Sequence, residues 1–540
     1  MAPDELVTID QPTTLDGLKE NFPFPTVRPA QESSLSVVAE ARDTDKQFTI
    51  LEIPTGGGKS GIGLAAAIDA SKQKNGSGAH YLTSQNSLAA QLVNDFGSKG
   101  LVELRGKRNY KCIKFLPQDC KTGTDMNKGR TCEGCPYRDA KNRYTTGKLG
   151  VTNYSYFLTE TMHSGELTPR DYLIADEAHN IEREILSMVE ITITQHKATD
   201  VDAGRVPNFN AGDGRSVRNW LHKTYVPAAG SYLRSLKEEL ESVKDSGVQP
   251  KPALLDRIET FQQLLNNLET YMDTDEPEQW FEWSDNNGSL CIKPLTAANF
   301  AQRYLFDQSP NVLLMSATIL DFATFRRNLG IKASTAVQYA TPSDFPLPNR
   351  RIVYWPVGSM GAKNIEASLP RAFERTNAIL NSPKFVDKKG IVHTHSYKIN
   401  TYLSNAFSQT TNDYRIVTHS NIPGSREAAI EKHVVSTDPT ILMSPSMTEG
   451  LDLKDDLSRV QIITKVPYPF LDPYNRVRME RDPKWYQLQT ALTLVQATGR
   501  SVRSAEDYAT TIILDADFGR FLQQNQDILP KWWLDSIEFR

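Results

Sequence analysis

"FTILEIPTGGGKSGIGLAAAIDA", residues 48 to 70, reads as a β-strand, a glycine-rich turn and a helix. The turn runs through Thr55, Gly56, Gly57 and Gly58 and closes on Lys59 and Ser60. Glycines let backbone N–H groups curl around phosphates, and the helix N-terminus adds its dipole. Lys59 is placed to reach the outer phosphates of ATP, and the Ser60 hydroxyl to ligate Mg²⁺. The usual pattern has another glycine where this chain has Ile53. A chance match is the bland alternative; the strand before the turn and the helix after it argue against one.

A second stretch, "RDYLIADEAHNIE" at residues 170–182, strengthens the reading. Tyr172 to Ala175 is a short apolar run ending in Asp176, Glu177, Ala178 and His179. Acids at the carboxyl end of a buried parallel strand sit where a nucleotide's Mg²⁺ binds in an open α/β sheet. Asp176 is expected to hold Mg²⁺, and Glu177 to orient and deprotonate the attacking water. His179 is expected to link that site to whatever moves. Acids beside a strand are common, so the weight lies in the pairing with the phosphate loop.

The third element lies near the end of the chain, in "LVQATGRSVRSAEDYATTIILDADFGR" at 494–520. Gln496, Arg500 and Arg503 are expected on one helix, followed by an apolar strand. Arginines three apart share a helix face. A solvated basic face is the ordinary reading of such a pair. Here they fall in a second α/β half that has no phosphate loop of its own. Reaching across a cleft to a γ-phosphate, they would make hydrolysis depend on closure of the two halves.

Composition excludes little: 39% hydrophobic, 23% charged and a formal net charge of -4 describe an ordinary globular chain. A basic channel for nucleic acid can be local despite that mild acidity. "MAPDELVTIDQ" at the start has neither a basic n-region nor an apolar h-region, and no run of 18 apolar residues occurs. The expected location is the cytoplasm (nucleoid) or the nucleus, with no membrane partner. Four of the five cysteines, Cys112, Cys120, Cys132 and Cys135, crowd into residues 109–137. Disulfides suit small secreted domains, so metal ligation is the better reading. Four thiolates serve either tetrahedral zinc or an iron–sulfur cluster.

In motif order the chain resembles the XPD/DinG-like iron–sulfur DNA helicases of superfamily 2 over nearly its whole length. "FPFPTVRPAQ" at 22–31 resembles the adenine-reading segment, with Arg28 and Gln31 as its polar contacts. "IPTGGGKS" is similar to motif I, and "YLTSQNSLAAQL" at 81–92 to motif Ia, which touches the DNA backbone. "DEAH" resembles motif II, and "LLMSATIL" at 313–320, with Ser316 and Thr318, motif III. "GIVHTHSY" at 390–397, "SPSMTEGLDL" at 444–453 and "QATGRSVR" at 496–503 resemble motifs IV, V and VI; Asp452 of motif V joins the nucleotide contacts. "LPKWW" at 529–533 is similar to the group's closing segment. Six ordered motifs are far more specific than any one.

The resemblance implies two RecA-like motor domains in an α/β fold, the first interrupted twice. The first motor takes residues 1–103, 147–185 and 276–340, and the second takes 341–540. Residues 104–146 form the four-cysteine module, in the gap between motifs Ia and II where the family ligates a [4Fe-4S] cluster. Residues 186–275 carry helical periodicity and resemble the family's arch, though short; a brief coiled coil for dimerisation is the alternative. "QWFEWSDNNGSLCIKPL" reads as two strands joined by Asn-Asn-Gly, with Cys291 buried and inert in the second.

The function so implied is an ATP-dependent DNA helicase that moves 5′ to 3′ on a single strand and unwinds duplex. It would act as a monomer on single-stranded and forked DNA. The alternative is a single-strand translocase, or a regulatory ATPase that remodels nucleoprotein without unwinding. An intrinsic nuclease, such as the N-terminal exonuclease that some relatives carry, is not expected from the short stretch before Phe22. Aromatics in "NYSYF" (153–157) and "PYPF" (467–470) are candidates for base stacking, with core packing the commoner fate. Arg105, Lys107, Arg108, Lys111 and Lys114, extended by Lys141 and Arg143, are candidates to track phosphates, against the reading of a solvated loop.

Overall fold

The computed structural model describes residues 13–540 except 74, 128–131, 247, 249, 344, 447–452, 454, 500 and 503–505. Short apolar runs such as 48–53 and 172–175 become strands buried on both faces, which is why they read as continuous rather than alternating. The first half contributes β1 (Phe48–Glu52), β2 (Ala79–Thr83), β3 (Leu101–Glu103), β4 (Leu149–Asn153) and β5 (Tyr172–Asp176). An inserted unit then holds β6 (Ile191–Ile193), β7 (Trp280–Ser284) and β8 (Leu290–Pro294). The chain returns with β9 (Asn311–Ser316) and β10 (Ala336–Ala340). Among the described residues these make a seven-stranded parallel sheet, β10-β1-β9-β5-β2-β4-β3. The phosphate-loop strand thus lies one strand, β9, from the strand that ends in Asp176.

The second half repeats the plan. Its strands are β11 (Arg350–Gly358), β12 (Gly390–His393), β13 (Ile416–Thr418), β14 (Ile441–Ser444), β15 (Val460–Ile463), β16 (Ala509–Asp515) and β17 (Ile537–Phe539). They form a second parallel sheet, β13-β14-β12-β15-β16-β11-β17, among the described residues. Two RecA-like α/β units are therefore present, as the motif order implied. Among the described residues, no helix is long and apolar enough to cross a membrane.

Residues 226–245 and 252–272 form two long helices packed against each other. Their apolar stripes, with Leu233, Phe261 and Leu268, close over Ile191, Trp280 and Ile292. That core uses the faces a dimeric coiled coil would need. It also joins β7 and β8, expected with the motor, to the helical unit in a three-stranded antiparallel sheet with β6. The Asn-Asn-Gly turn is built as read: the Asp285 carboxylate accepts from Asn287 N–H and Ser289 N–H, both at 2.8 Å. Cys291 in β8 is half-buried rather than buried, and burial pushes its thiol up to about 11, which keeps it protonated and unreactive.

The four-cysteine segment has short helices at Cys120–Met126 and Pro136–Thr146. Cys120, Cys135, Tyr137 and Tyr144 join the core of the first motor, so the segment is docked on the sheet rather than tethered beside it.

Candidate nucleotide site between the two halves

At the end of β1 the chain turns sharply, with Gly57 N–H donating to the Pro54 carbonyl at 2.9 Å. Ile53, where the pattern would have glycine, is fully buried directly after the strand. The turn needs its freedom later: Gly58 has φ +88°, and a Cβ there would lie 2.1 Å from the Gln31 amide nitrogen. Helix Lys59–Lys72 starts directly after it.

Arg28 and Gln31 lie against this turn. Arg28 donates to the Gly56 carbonyl at 2.9 Å and Gln31 to the Gly57 carbonyl at 3.3 Å. The segment that resembles an adenine reader therefore touches the phosphate loop itself. Thr55 lines the cleft beside it.

β5 delivers the acids. Asp176 is pushed up to about 6 by burial first and by the neighbouring Glu177 carboxylate second, with Lys59 pulling the other way. A divalent cation is the natural counter-charge for such a pair. Glu177 adopts a left-handed backbone, φ +53°, which a non-glycine residue holds only where its surroundings dictate it. Lys59 Nζ lies 3.7 Å from its carboxylate. Beside it, His179 Nδ1 is 2.7 Å from the Ser316 hydroxyl at the end of β9. Two residues on, the Thr318 hydroxyl accepts from the Gln496 side-chain amide of the second half at 3.1 Å. His179 thus reaches the second half through one turn of chain.

A cleft of about 650 Å³ opens at this point, lined by Thr55, Glu177, His179 and Thr318 from one half and Gln496 and Trp532 from the other. The helix expected to carry Gln496, Arg500 and Arg503 ends at Thr498, because Gly499 is a poor helix former. Arg500, Arg503 and Asp452 lie outside the described residues.

The halves are also joined at a buried ion pair that sequence reasoning missed. Glu182, at the start of the helix after motif II, meets Arg478 of helix Pro473–Arg481 at 2.7 Å. Their side chains are 14% and 5% exposed. The guanidinium stacks 3.8 Å from the Trp485 ring centroid, and Asn328 donates to the same carboxylate at 3.3 Å. Removing one partner of a buried pair strands the other charge. Arg478→Ala is expected to lower stability by about 3 kcal/mol. The double variant Glu182→Gln/Arg478→Met should recover much of that loss, read by the midpoint of urea denaturation. A double variant as unstable as Arg478→Ala contradicts the stranded-charge account.

Most of the proposed phosphate-tracking cations have other partners. Arg105 pairs with Glu103 at 2.6 Å, Arg108 with Asp256 at 2.7 Å and Glu259 at 2.8 Å, and Lys141 with Glu160 at 2.8 Å. Lys107 lies 5.3 Å from the Tyr137 ring centroid. Lys111 and Lys114 have no carboxylate partner among the described residues, and Arg143 is exposed. Tyr154, Tyr156 and Phe157 are buried, so "NYSYF" is core and not a stacking surface. In "PYPF", Tyr468 stacks on Tyr486, while Phe470 stands 81% exposed.

Cys112, Cys120 and Cys135 are buried, Cys132 is half-buried, and all four are free thiols. Cys120 and Cys135 sulfurs are 3.8 Å apart, and the Cys132 thiol lies within hydrogen-bonding reach of the Cys112 thiol. A Cβ on Gly123 would meet the Cys112 sulfur at 2.2 Å, so this approach needs glycine. Burial pushes the Cys120 thiol up to about 11. The donor set suits a thiolate-ligated metal, whose charge would offset that cost. Among the described residues, nonetheless, no group of three or more potential ligands is gathered.

Residues 24–201 match the family described as Type III restriction enzyme, res subunit, and residues 379–536 match the Helicase C-terminal domain. The ATP-dependent DNA helicase YoaA of Escherichia coli is 22% identical, over 91% of this chain and 92% of its own. A Regulator of telomere elongation helicase 1 homolog of Drosophila grimshawi is 35% identical, over 16% of this chain and 10% of its own. Among solved structures, one titled XPD_Helicase superposes with a TM-score of 0.64 at 14% identity, covering 96% of this chain and 100% of that one. Xpd4 of S. tokodaii gives 0.60 at 13%, covering 95% and 100%. Two RecA-like units thus flank one phosphate loop, the first matching the restriction-enzyme res-subunit family and the second the Helicase C-terminal domain. In sequence and in fold the chain is similar to XPD/DinG-like helicases.

Proposed function

We propose that this chain is an ATP-driven DNA helicase that translocates 5′ to 3′ on a single strand and opens duplex ahead of it. The observation that carries the reading is the chain of contacts at one cleft. The phosphate loop, Asp176 and Glu177 lie on one side, and His179–Ser316 and Thr318–Gln496 lead to the other half. In this scheme Lys59 holds the outer phosphates of ATP, with Ser60 and Asp176 on Mg²⁺. Glu177 takes the proton of the attacking water. Arg28 and Gln31 read the base, and Asp452, Arg500 and Arg503 complete the site from the second half. Polarity rests on the family resemblance, and the DNA substrate on the names of the relatives.

The four cysteines are proposed to ligate a [4Fe-4S] cluster, which when bound supplies rigidity to a segment with little core of its own. Zinc is a second reading, favoured by one distance: sulfurs bound at about 2.3 Å to a tetrahedral zinc are about 3.8 Å apart, the separation of Cys120 and Cys135.

ATP turnover with and without single-stranded DNA tests the motor. Because closure assembles the site, the DNA is expected to raise turnover about tenfold or more. Turnover indifferent to nucleic acid would refute a DNA-driven motor and leave the regulatory ATPase reading.

A further inference from the structure

Glu52 is the last residue of β1 and points into the protein, only 8% exposed. No cationic side chain pairs with it among the described residues. Its partners are two consecutive backbone amides: Ile319 N–H and Leu320 N–H donate to the same carboxylate oxygen at 2.6 and 2.5 Å. Burial raises its pKa while those two bonds oppose the rise. A buried carboxylate in the strand that leads into the phosphate loop is costly unless it has work to do.

What it holds is the turn that joins the halves. Ser316 and Thr318 carry the contacts to His179 and Gln496. Leu320 has φ +62°, a conformation that a branched residue keeps only when the surroundings impose it. In that conformation its side chain packs on the second half's core with Ile352, Val495 and Trp533. Asp321 follows, paired with Lys484 of the second half at 2.5 Å. Residues 316–321 thus make four separate contacts, three of them to the other half, and Glu52 sits at their centre.

We infer that Glu52 is a positioning residue that locks the 318–320 turn to the phosphate-loop strand, so that nucleotide binding in one half is felt as closure by the other. It is not among the residues that line the cleft. The inference rests on the proposed motor reading, and its test separates the two.

Glu52→Met keeps length but removes the acceptor, leaving two buried N–H groups unmet. DNA-stimulated kcat is expected to fall about tenfold or more, with KM for ATP within about threefold of wild type. Glu52→Gln keeps one carbonyl oxygen able to accept both bonds and should stay within about threefold on kcat. Leu320→Gly relieves the strained backbone but removes the contact to the second half; it should lose DNA stimulation with Glu52 intact, and so serves if Glu52→Met fails to fold. The inference is overturned if Leu320→Gly keeps full stimulation. It is equally overturned if a folded Glu52→Met keeps it, if Glu52→Gln is as impaired as Glu52→Met, or if the loss falls on KM alone. If wild-type turnover ignores DNA, the motor reading fails first, and Glu52 has no closure to transmit.

Discussion

Glu177→Gln should lower ATP turnover by about 10²- to 10⁴-fold, the contribution of a general base, while leaving nucleotide binding in place. The separation follows from the end of β5, where Asp176 and Glu177 are adjacent but differently placed. Asp176 is the more buried and is the proposed Mg²⁺ ligand, whereas Glu177 lies open to the cleft, 3.7 Å from Lys59. Losing the Glu177 charge also lowers the repulsion that raises Asp176, so Mg²⁺ binding should not weaken. Lys59→Ala should cost turnover at least about 100-fold as well, but by loosening the phosphates themselves. Its signature is different: weakened binding of a fluorescent ATP analogue, where Glu177→Gln binds as wild type. Normal turnover in either variant would remove these residues from the site.

Cys112→Ser and Cys135→Ser are expected to lose nearly all duplex unwinding while keeping much of the DNA-stimulated ATPase. The nucleotide cleft is built from residues 54–60, 176–179 and 496, none of them in the cysteine segment. Three of the four cysteines of the segment, by contrast, are buried within it. Cys112 lies against the bare backbone at Gly123, and Cys120 and Cys135 are part of the hydrophobic core beneath. Protein purified without air should be brown and carry iron, and the serine variants should be colourless. Zinc without iron would settle the metal in favour of the second reading and leave the mechanical role standing. Serine variants that stay folded and unwind normally would end the mechanical role whichever metal is present.

The legible parts of this molecule are those whose chemistry is contiguous in the chain. A strand, three glycines, Lys59 and Ser60 fall within one short stretch, and Asp176 and Glu177 end another, so both ends of the candidate cleft are legible in the sequence. What escaped notice depends on partners far apart in sequence. Glu52 looks like one polar residue in an apolar strand until the amides of Ile319 and Leu320, 267 and 268 residues on, are brought to it. Arg108 looks free for phosphate until Asp256, 148 residues away, reaches it. Tyr154 and Tyr156 look like a stacking surface until the short helix Tyr154–Thr159 turns both into the core of the first motor. β7 and β8 were read correctly as a hairpin, but nothing local tells that their core is the helical unit.

The central claim is a motor that pulls itself 5′ to 3′ and parts the strands, and one measurement addresses it directly. Purified chain, ATP and Mg²⁺ are mixed with two duplexes of the same sequence, one with a 5′ single-stranded tail and one with a 3′ tail, and strand displacement is followed in time. The 5′-tailed duplex should open and the 3′-tailed one should stay closed, with no opening by Glu177→Gln. Opening of the 3′-tailed duplex instead, or of neither while DNA still stimulates ATP turnover, would contradict the account.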